Sequence, residues 1–268
     1  MQTRPFSKLI ALTIVLALPI TVTQGATETG KVLVFGGTGM IGYEIVKALK
    51  RQDRDVTVFV RASSNVEDLQ KIDVPYVVGD VLEPETLHRV FEDGAFETVI
   101  SSISRSGSFG VIDGVTIHRT GNNNITAAAL LGGVQHLILM GTVGDGDSAA
   151  TLSPRQRTSF KQIYQDKTAA ENFLMASGLT YTVIRTGVIL TDEPTGMVQL
   201  TQDHTIRHAA NIFDFVIETA RCVGNSQCFN KVFHTHDPSI PPLTPENLQK
   251  AYEGLASFEA TRRGKTAD

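Results

Sequence analysis

Two cysteines in 268 residues leave no material for a disulfide-dense scaffold or a four-cysteine zinc site. Neither sign of charge is in excess: 24 Lys and Arg against 28 Asp and Glu give a net charge of -4. There is thus no strongly basic surface to hold nucleic acid or acidic lipid, and no acid-rich solvating tail. Internal repeats and low-complexity tracts are missing, as is the G-x-S-x-G nucleophile motif. After the first few tens of residues no apolar run approaches the roughly 20 residues of a membrane-spanning helix. With 41% apolar side chains and 23 glycines, the composition is that of an ordinary globular chain, long enough to bury a sizeable core.

What is present begins with an export-like segment. Arg4 and Lys8 precede Leu9–Leu18, apolar except for Thr13; Pro19 ends the run, and the small residues Thr23, Gly25 and Ala26 follow. Residues 1–26 therefore read as a secretory signal peptide, and 27–268 as the folded protein, with export as the expected localisation. A buried first helix is the other reading, opposed by the polar gap Thr27–Gly30. In an oxidising compartment Cys222 and Cys228, separated by Val-Gly-Asn-Ser-Gln, are placed to close a local disulfide. Two free thiols at a helix end and a loop are the alternative.

From Lys31 short apolar runs alternate with longer amphipathic ones. Strands are expected at Lys31–Phe35, Asp55–Arg61, Val74–Gly79, Thr98–Ile103, His136–Gly141 and Tyr181–Leu190. Helices are expected at Ile41–Lys50, Glu85–Phe91, Val115–Leu131, Thr158–Ser177 and Thr244–Phe258. Val- and Ile-rich strands between helices imply a doubly wound, Rossmann-type parallel sheet covered on both faces. The polar end Arg262–Asp268 is expected to fray.

The sharpest local signal is Lys31-Val-Leu-Val-Phe-Gly36-Gly37-Thr38-Gly39-Met40-Ile41-Gly42, a strand entering a glycine turn that enters a helix. Gly36 permits the turn, Gly39 lets backbone approach a pyrophosphate, and Gly42 lets the helix sit close to the strand. Thr38, Met40 and Ile41 complete the turn, whose diphosphate would face the helix N–H groups and positive dipole end. A turn without a ligand is the plainer alternative. The second strand, Asp55-Val-Thr-Val-Phe-Val-Arg61, ends in a base, followed by Ser63 and Ser64. A guanidinium and hydroxyls suit a 2′-phosphate, so NADP(H) is expected over NAD(H); a solvated strand-end arginine is the other reading.

These motifs, with Val78-Gly79-Asp80-Val81 and the run from Lys167-Thr-Ala-Ala-Glu171 to Ser177-Gly178-Leu179-Thr180-Tyr181-Thr182-Val183-Ile184-Arg185, resemble the atypical short-chain dehydrogenase/reductases, in particular their NmrA-like, NAD(P)H-binding branch. The resemblance spans roughly residues 30–240. It implies a cofactor along the C-terminal edge of the sheet and a small substrate lobe from the C-terminal third. It also implies Asp80 and Val81 beside the adenine, Ser101, Ser102 and Ile103 along the ribose and nicotinamide side, and Thr142 where the family often has Ser. Lys167 would reach the nicotinamide ribose.

This chain departs from the resemblance in one place that matters for chemistry. Catalytic members carry Tyr-x-x-x-Lys, but Ile163 stands four before Lys167, and Tyr164 stands three before it. One helical residue is a rotation of about 100°, so Tyr164 is a candidate proton donor that points away from the usual direction, or simply a half-buried helix tyrosine. Lys167, Tyr164 and Thr142 are the candidate catalytic residues. A second departure is Arg185-Thr186-Gly187, where the family often has Pro in the middle.

Other constellations are weaker. His234 and His236 alternate on one strand face and lack an obvious third ligand, so solvated strand-end histidines are expected rather than a metal site. His204 and His208 are four apart and could share a helix face. Ser106–Gly110 is a glycine-rich loop, either a plain surface loop or a cover over the nicotinamide. Asn122–Asn124 reads as a polar helix start. The expected function is an NADP(H)-dependent oxidoreductase acting on a small carbonyl, quinone or similar acceptor, or else a non-catalytic NADP(H) sensor or assembly factor. A small-molecule substrate is expected, with no nucleic acid partner, no permanent membrane span and no metal.

Overall fold

The computed structural model describes residues 30–104, 111–112, 115–241 and 244–262. The signal-peptide expectation at 1–26, the loop Ser106–Gly110 and residues 263–268 lie outside the described residues. Strands β1 (Lys31–Phe35), β2 (Val56–Val60), β3 (Tyr76–Val78), β4 (Phe96–Ser101), β7 (His136–Thr142), β8 (Thr180–Thr186), β10 (Gln199–Thr201) and β12 (Lys231–His236) form one sheet. Its order is β10-β12-β8-β7-β4-β1-β2-β3, parallel throughout except for β10 against β12. Two small pairs stand apart: β5 (Val111–Ile112) with β6 (Val115–Thr116), and β9 (Val188–Leu190) with β11 (Ala209–Asn211).

Alternation along β1 explains the layers. Val32 and Val34 join a core cluster with Ile45 and Leu49 of α1 (Met40–Arg51) and Phe215 of α7 (Ile212–Arg221). Leu33 and Phe35 join the opposite cluster with Leu87 of α3 (Pro84–Gly94), Ile125 of α4 (Asn122–Leu131) and Leu174 of α6 (Lys161–Ala176). A strand buried on both faces must be apolar at every position inside the sheet, as the Val-Leu-Val-Phe run of β1 is. Burial on this scale contributes about 25 cal/mol per Å² of apolar surface removed from water.

The expected strands all appear, but three expected elements are divided. Val115–Leu131 is β6, a π-helical turn at Ile117–Gly121, and then α4. The wide turn is held by Thr116, whose hydroxyl accepts from Arg119 N–H at 3.1 Å, and by Asn122, whose amide donates to His118 O at 2.8 Å. Thr158–Ser177 is α5 (Pro154–Ser159) and α6, separated at Phe160. The chain starts its helix early because Ser153 and Gln156 form a capping box with Pro154 in the first turn. Tyr181–Leu190 breaks at Gly187 into β8 and β9, where a Cβ would come within 2.5 Å of His208 O. There the chain leaves the main sheet for the β9–β11 pair. The remaining helices are α2 (Glu67–Lys71) and α8 (Pro245–Arg262).

Cys222 and Cys228 are joined in a disulfide. Among the described residues no helix is long and apolar enough to cross a membrane.

Candidate cofactor-binding site

The glycine turn after β1 is built from close approaches that side chains would block. Gly36 has φ +80°, and a Cβ there would meet Ser102 O at 2.6 Å. A Cβ on Gly42 would meet Gly36 O at 2.2 Å, so α1 can begin this close to the strand only with glycine. Gly39 N–H donates to Gly36 O at 2.8 Å, which closes the turn. Gly39 is also the N-cap of α1, with no capping side chain and no acid in the first turn. The first-turn N–H groups and the positive dipole end are therefore left for an anion from outside the helix. By this measure the turn fits a dinucleotide diphosphate.

A crevice of about 390 Å³ opens there. Gly36, Thr38, Gly39, Met40, Ile41 and Gly42 form its floor. Arg61, exposed at the end of β2, and Ser64 line one end, tied together by a Ser64 N–H to Arg61 O hydrogen bond of 2.9 Å. Val81, Ser102, Ile103 and Ile117 line it as well. Ten of the sequence-expected positions thus meet in one crevice: the six of the floor together with Arg61, Val81, Ser102 and Ile103.

Four do not line it. Ser101 is buried at the end of β4, whose sheet is covered on both faces; its hydroxyl donates to Asn122 Oδ1 at 2.6 Å. Asp80 accepts Leu82 N–H at 2.9 Å and shapes the turn that presents Val81. Thr142, half-buried at the end of β7, donates its N–H to Asp145 Oδ2 at 2.7 Å. Lys167, half-buried on α6, lies close enough to act electrostatically on Asp145 and His118. Tyr164 stands in a separate cleft with Gly144 and Arg119, where a Cβ on Gly144 would come within 2.8 Å of its Cε1. Burial, and then the Asp145 carboxylate, raise its phenol above the usual tyrosine range.

Several residues at the site carried no sequence signal. The C-terminal helix α8 crosses the glycine turn: Glu259 lines the crevice, and Arg262 donates to Gly39 O at 2.8 Å and to Thr38 O. Its guanidinium also lies 4.8 Å from the centre of the Tyr43 ring. The expectation that the chain frays from Arg262 is corrected at that residue. Asn122 is likewise more than a polar helix start, since it links Ser101 to the π turn. His118, buried in that turn, is lowered to about 4 by burial and by Lys167.

The histidines are corrected as well. His234 is wholly buried rather than solvated, and its Nδ1 donates to Ile206 O at 2.9 Å. His204 and His208 lie on no helix. Each meets one β12 histidine: His204 stacks on His234 at 5.0 Å, and His208 meets His236 edge-on at 4.4 Å. Among the described residues no group of three or more His, Cys, Asp or Glu is placed to hold a metal.

Known proteins share this family and this fold. A model of an NAD(P)H-binding family matches residues 36–214. The isoflavone reductase homologue P3 of Arabidopsis thaliana is 24% identical over 251 residues, covering 85% of this chain and 75% of that protein. The anaerobillin reductase ChuY of Escherichia coli O157:H7 has a similar fold, with a TM-score of 0.68 at 22% identity over 80% of this chain and all of that one. A short-chain dehydrogenase/reductase of Veillonella parvula, solved in complex with NADP, has a TM-score of 0.61 at 16% identity over 78% of this chain and 95% of that one. The chain belongs to the NAD(P)H-binding family.

Proposed function

We propose that this protein is an NADP(H)-dependent oxidoreductase that transfers hydride to or from a small carbonyl, quinone or similar acceptor. The observation that carries the reading is the meeting of Arg61 and Ser64 with the uncapped first turn of α1 in one crevice. The α1 N–H groups would hold the diphosphate, and Arg61 and Ser64 would hold the 2′-phosphate through charge-assisted hydrogen bonds. Val81 and Asp80 would border the adenine. Ser102 and Ile103 would line the ribose side, while Thr142 and Lys167 would stand at the nicotinamide end. The bound dinucleotide would supply the hydride; the chain's own part is to orient it and to manage the proton. The NADP-bound relative of the same fold supports this choice.

Titration of the purified protein with NADPH and NADH, followed by carbonyl and quinone acceptors, tests the reading. Tighter NADPH binding together with acceptor-dependent oxidation is the expected result. One observation favours a second reading: Tyr164 lines another cleft, as suits a protein that binds the dinucleotide without turnover. Tight NADPH binding with no oxidation by any acceptor selects that sensor.

Export by residues 1–26 remains part of the proposal, and the Cys222–Cys228 bridge supports an oxidising destination. The mass of the mature N-terminus tests it; an intact Met1 on the soluble protein overturns it.

A further inference from the structure

Asp145 follows β7 and has no exposed surface. It closes a tight turn on Thr142: Oδ2 accepts Thr142 N–H at 2.7 Å, and Asp145 N–H donates to Thr142 O at 3.0 Å. Its carbonyl accepts the Ser148 hydroxyl at 2.7 Å. Oδ1 is buried and, among the described residues, meets no hydrogen-bond donor. The charged and titratable groups that act on it are Lys167, Glu171 and Tyr164 of α6 and Arg185 of β8. Glu171 and Arg185 are already paired with each other. Of these, Lys167 carries the strongest attraction for the carboxylate.

A carboxylate with one bare oxygen in a dry site is costly, and burial favours its neutral acid. Burial raises Asp145 to about 7, against the pull of Lys167 and with a further push from Glu171. Here is a buried acid, poised near neutrality, in direct hydrogen bond with one candidate catalytic residue and in the field of another, where Tyr164 is misdirected.

We infer that Asp145 is the proton-holding and positioning residue of this site, and that it acts by fixing the Thr142 turn. The inference rests on the oxidoreductase reading.

The test follows isotope-labelled aspartate carboxyls by NMR across about pH 4–9 in the wild type, in Asp145→Asn and in Lys167→Met. It adds the pH profile of NADPH oxidation by quinone and aldehyde acceptors. One carboxyl, absent from Asp145→Asn, should titrate near neutrality and move upward in Lys167→Met. In Asp145→Asn, kcat should fall about tenfold or more and lose the break that the wild type shows at that pH, with NADPH affinity nearly unchanged. Asp145→Glu should restore part of the break. A carboxyl that titrates in the ordinary range, or is unmoved in Lys167→Met, overturns the inference even if Asp145→Asn fails to fold. So does a wild-type pH profile in Asp145→Asn, or NADPH bound without turnover by any acceptor. Absence of binding by either dinucleotide overturns the function reading, and this inference with it; binding without the titration overturns this inference alone.

Discussion

Arg185 donates from Nε and Nη2 to the two carboxylate oxygens of Glu171, at 3.1 and 2.7 Å, with both side chains buried. Arg185 Nη1 turns outward to Asp147 at 2.6 Å, and Asp147 in turn meets His204 Nδ1 at 2.7 Å. The pair fastens α6 to β8 directly behind the loop that carries Asp145.

Breaking that pair from one side leaves a buried charge without its partner, which typically costs about 3–5 kcal/mol. Glu171→Ala is expected to destabilise by an amount near the lower end, because Asp147 still holds Arg185. Urea unfolding checks this; a loss below about 1 kcal/mol would mean that the pair behaves like a surface ion pair.

Stability should depend on pH through opposing groups. Asp145 is raised by burial from 3.8 to about 7, so the folded state binds its proton more tightly than the unfolded chain. Its contribution is present at low pH and is lost as pH rises from about 4 to about 7. His118 and His136 are lowered by burial from 6.5 to about 4. Their contribution is present above 6.5 and is lost as pH falls toward 4. Asp145→Asn should therefore raise stability at pH 8 relative to the wild type by an amount on the order of a few kcal/mol. Unfolding measured at pH 5 and pH 8 should show the difference narrowing at the lower pH.

Arg61→Asp should weaken NADPH binding by about tenfold or more, the loss of at least one charge-assisted contact with a phosphate. NADH binding should change far less, and calorimetric titration with both separates the two. Equal losses would leave Arg61 as a strand-end residue with no part in selection.

Gly39 and Gly42 should behave differently. A Cβ at Gly42 would collide with Gly36 O at 2.2 Å, whereas a Cβ at Gly39 meets only Gly36 O, at 3.1 Å. Gly42→Ala should unfold or strongly destabilise the first βα unit. Gly39→Ala should keep most of the stability while its methyl intrudes on the crevice and weakens dinucleotide binding. Thermal melts paired with NADPH titration check the contrast.

Reducing the Cys222–Cys228 bridge should cost about 2 kcal/mol, since a short loop loses little entropy when it is closed in the unfolded chain. Cys228 is also tied in through its carbonyl, which accepts the Thr182 hydroxyl at 2.7 Å. Thr182 Oγ1 in turn lies 2.9 Å from His136 Nε2. Unfolding with and without reductant measures the cost.

The alternation of strands and helices through β8, the glycine turn and Arg61 at the end of β2 were legible in the residues themselves, whereas α2, β10 and α7 were not expected. Each is set by local rules: strand periodicity, the positive φ that glycine tolerates at position 36, and helix contacts a few residues apart. The divided elements were less legible, although Ser153-Pro154-Arg155-Gln156 did carry a helix-start signal. The displacement of Tyr164 from Lys167 was visible as spacing, but the cleft it occupies was not.

The sequence by itself determined a Rossmann-type sheet with an anion-binding turn at residues 36–42, because close backbone approach and helix polarity are written in neighbouring residues. Only the tertiary structure decided that Asp145 is sealed beside Thr142, that Ser101 faces Asn122, and that Arg262 reaches the carbonyls of Thr38 and Gly39. Burial and the company a side chain keeps depend on segments far apart in the chain, and no local pattern encodes which of them will close over a given carboxyl.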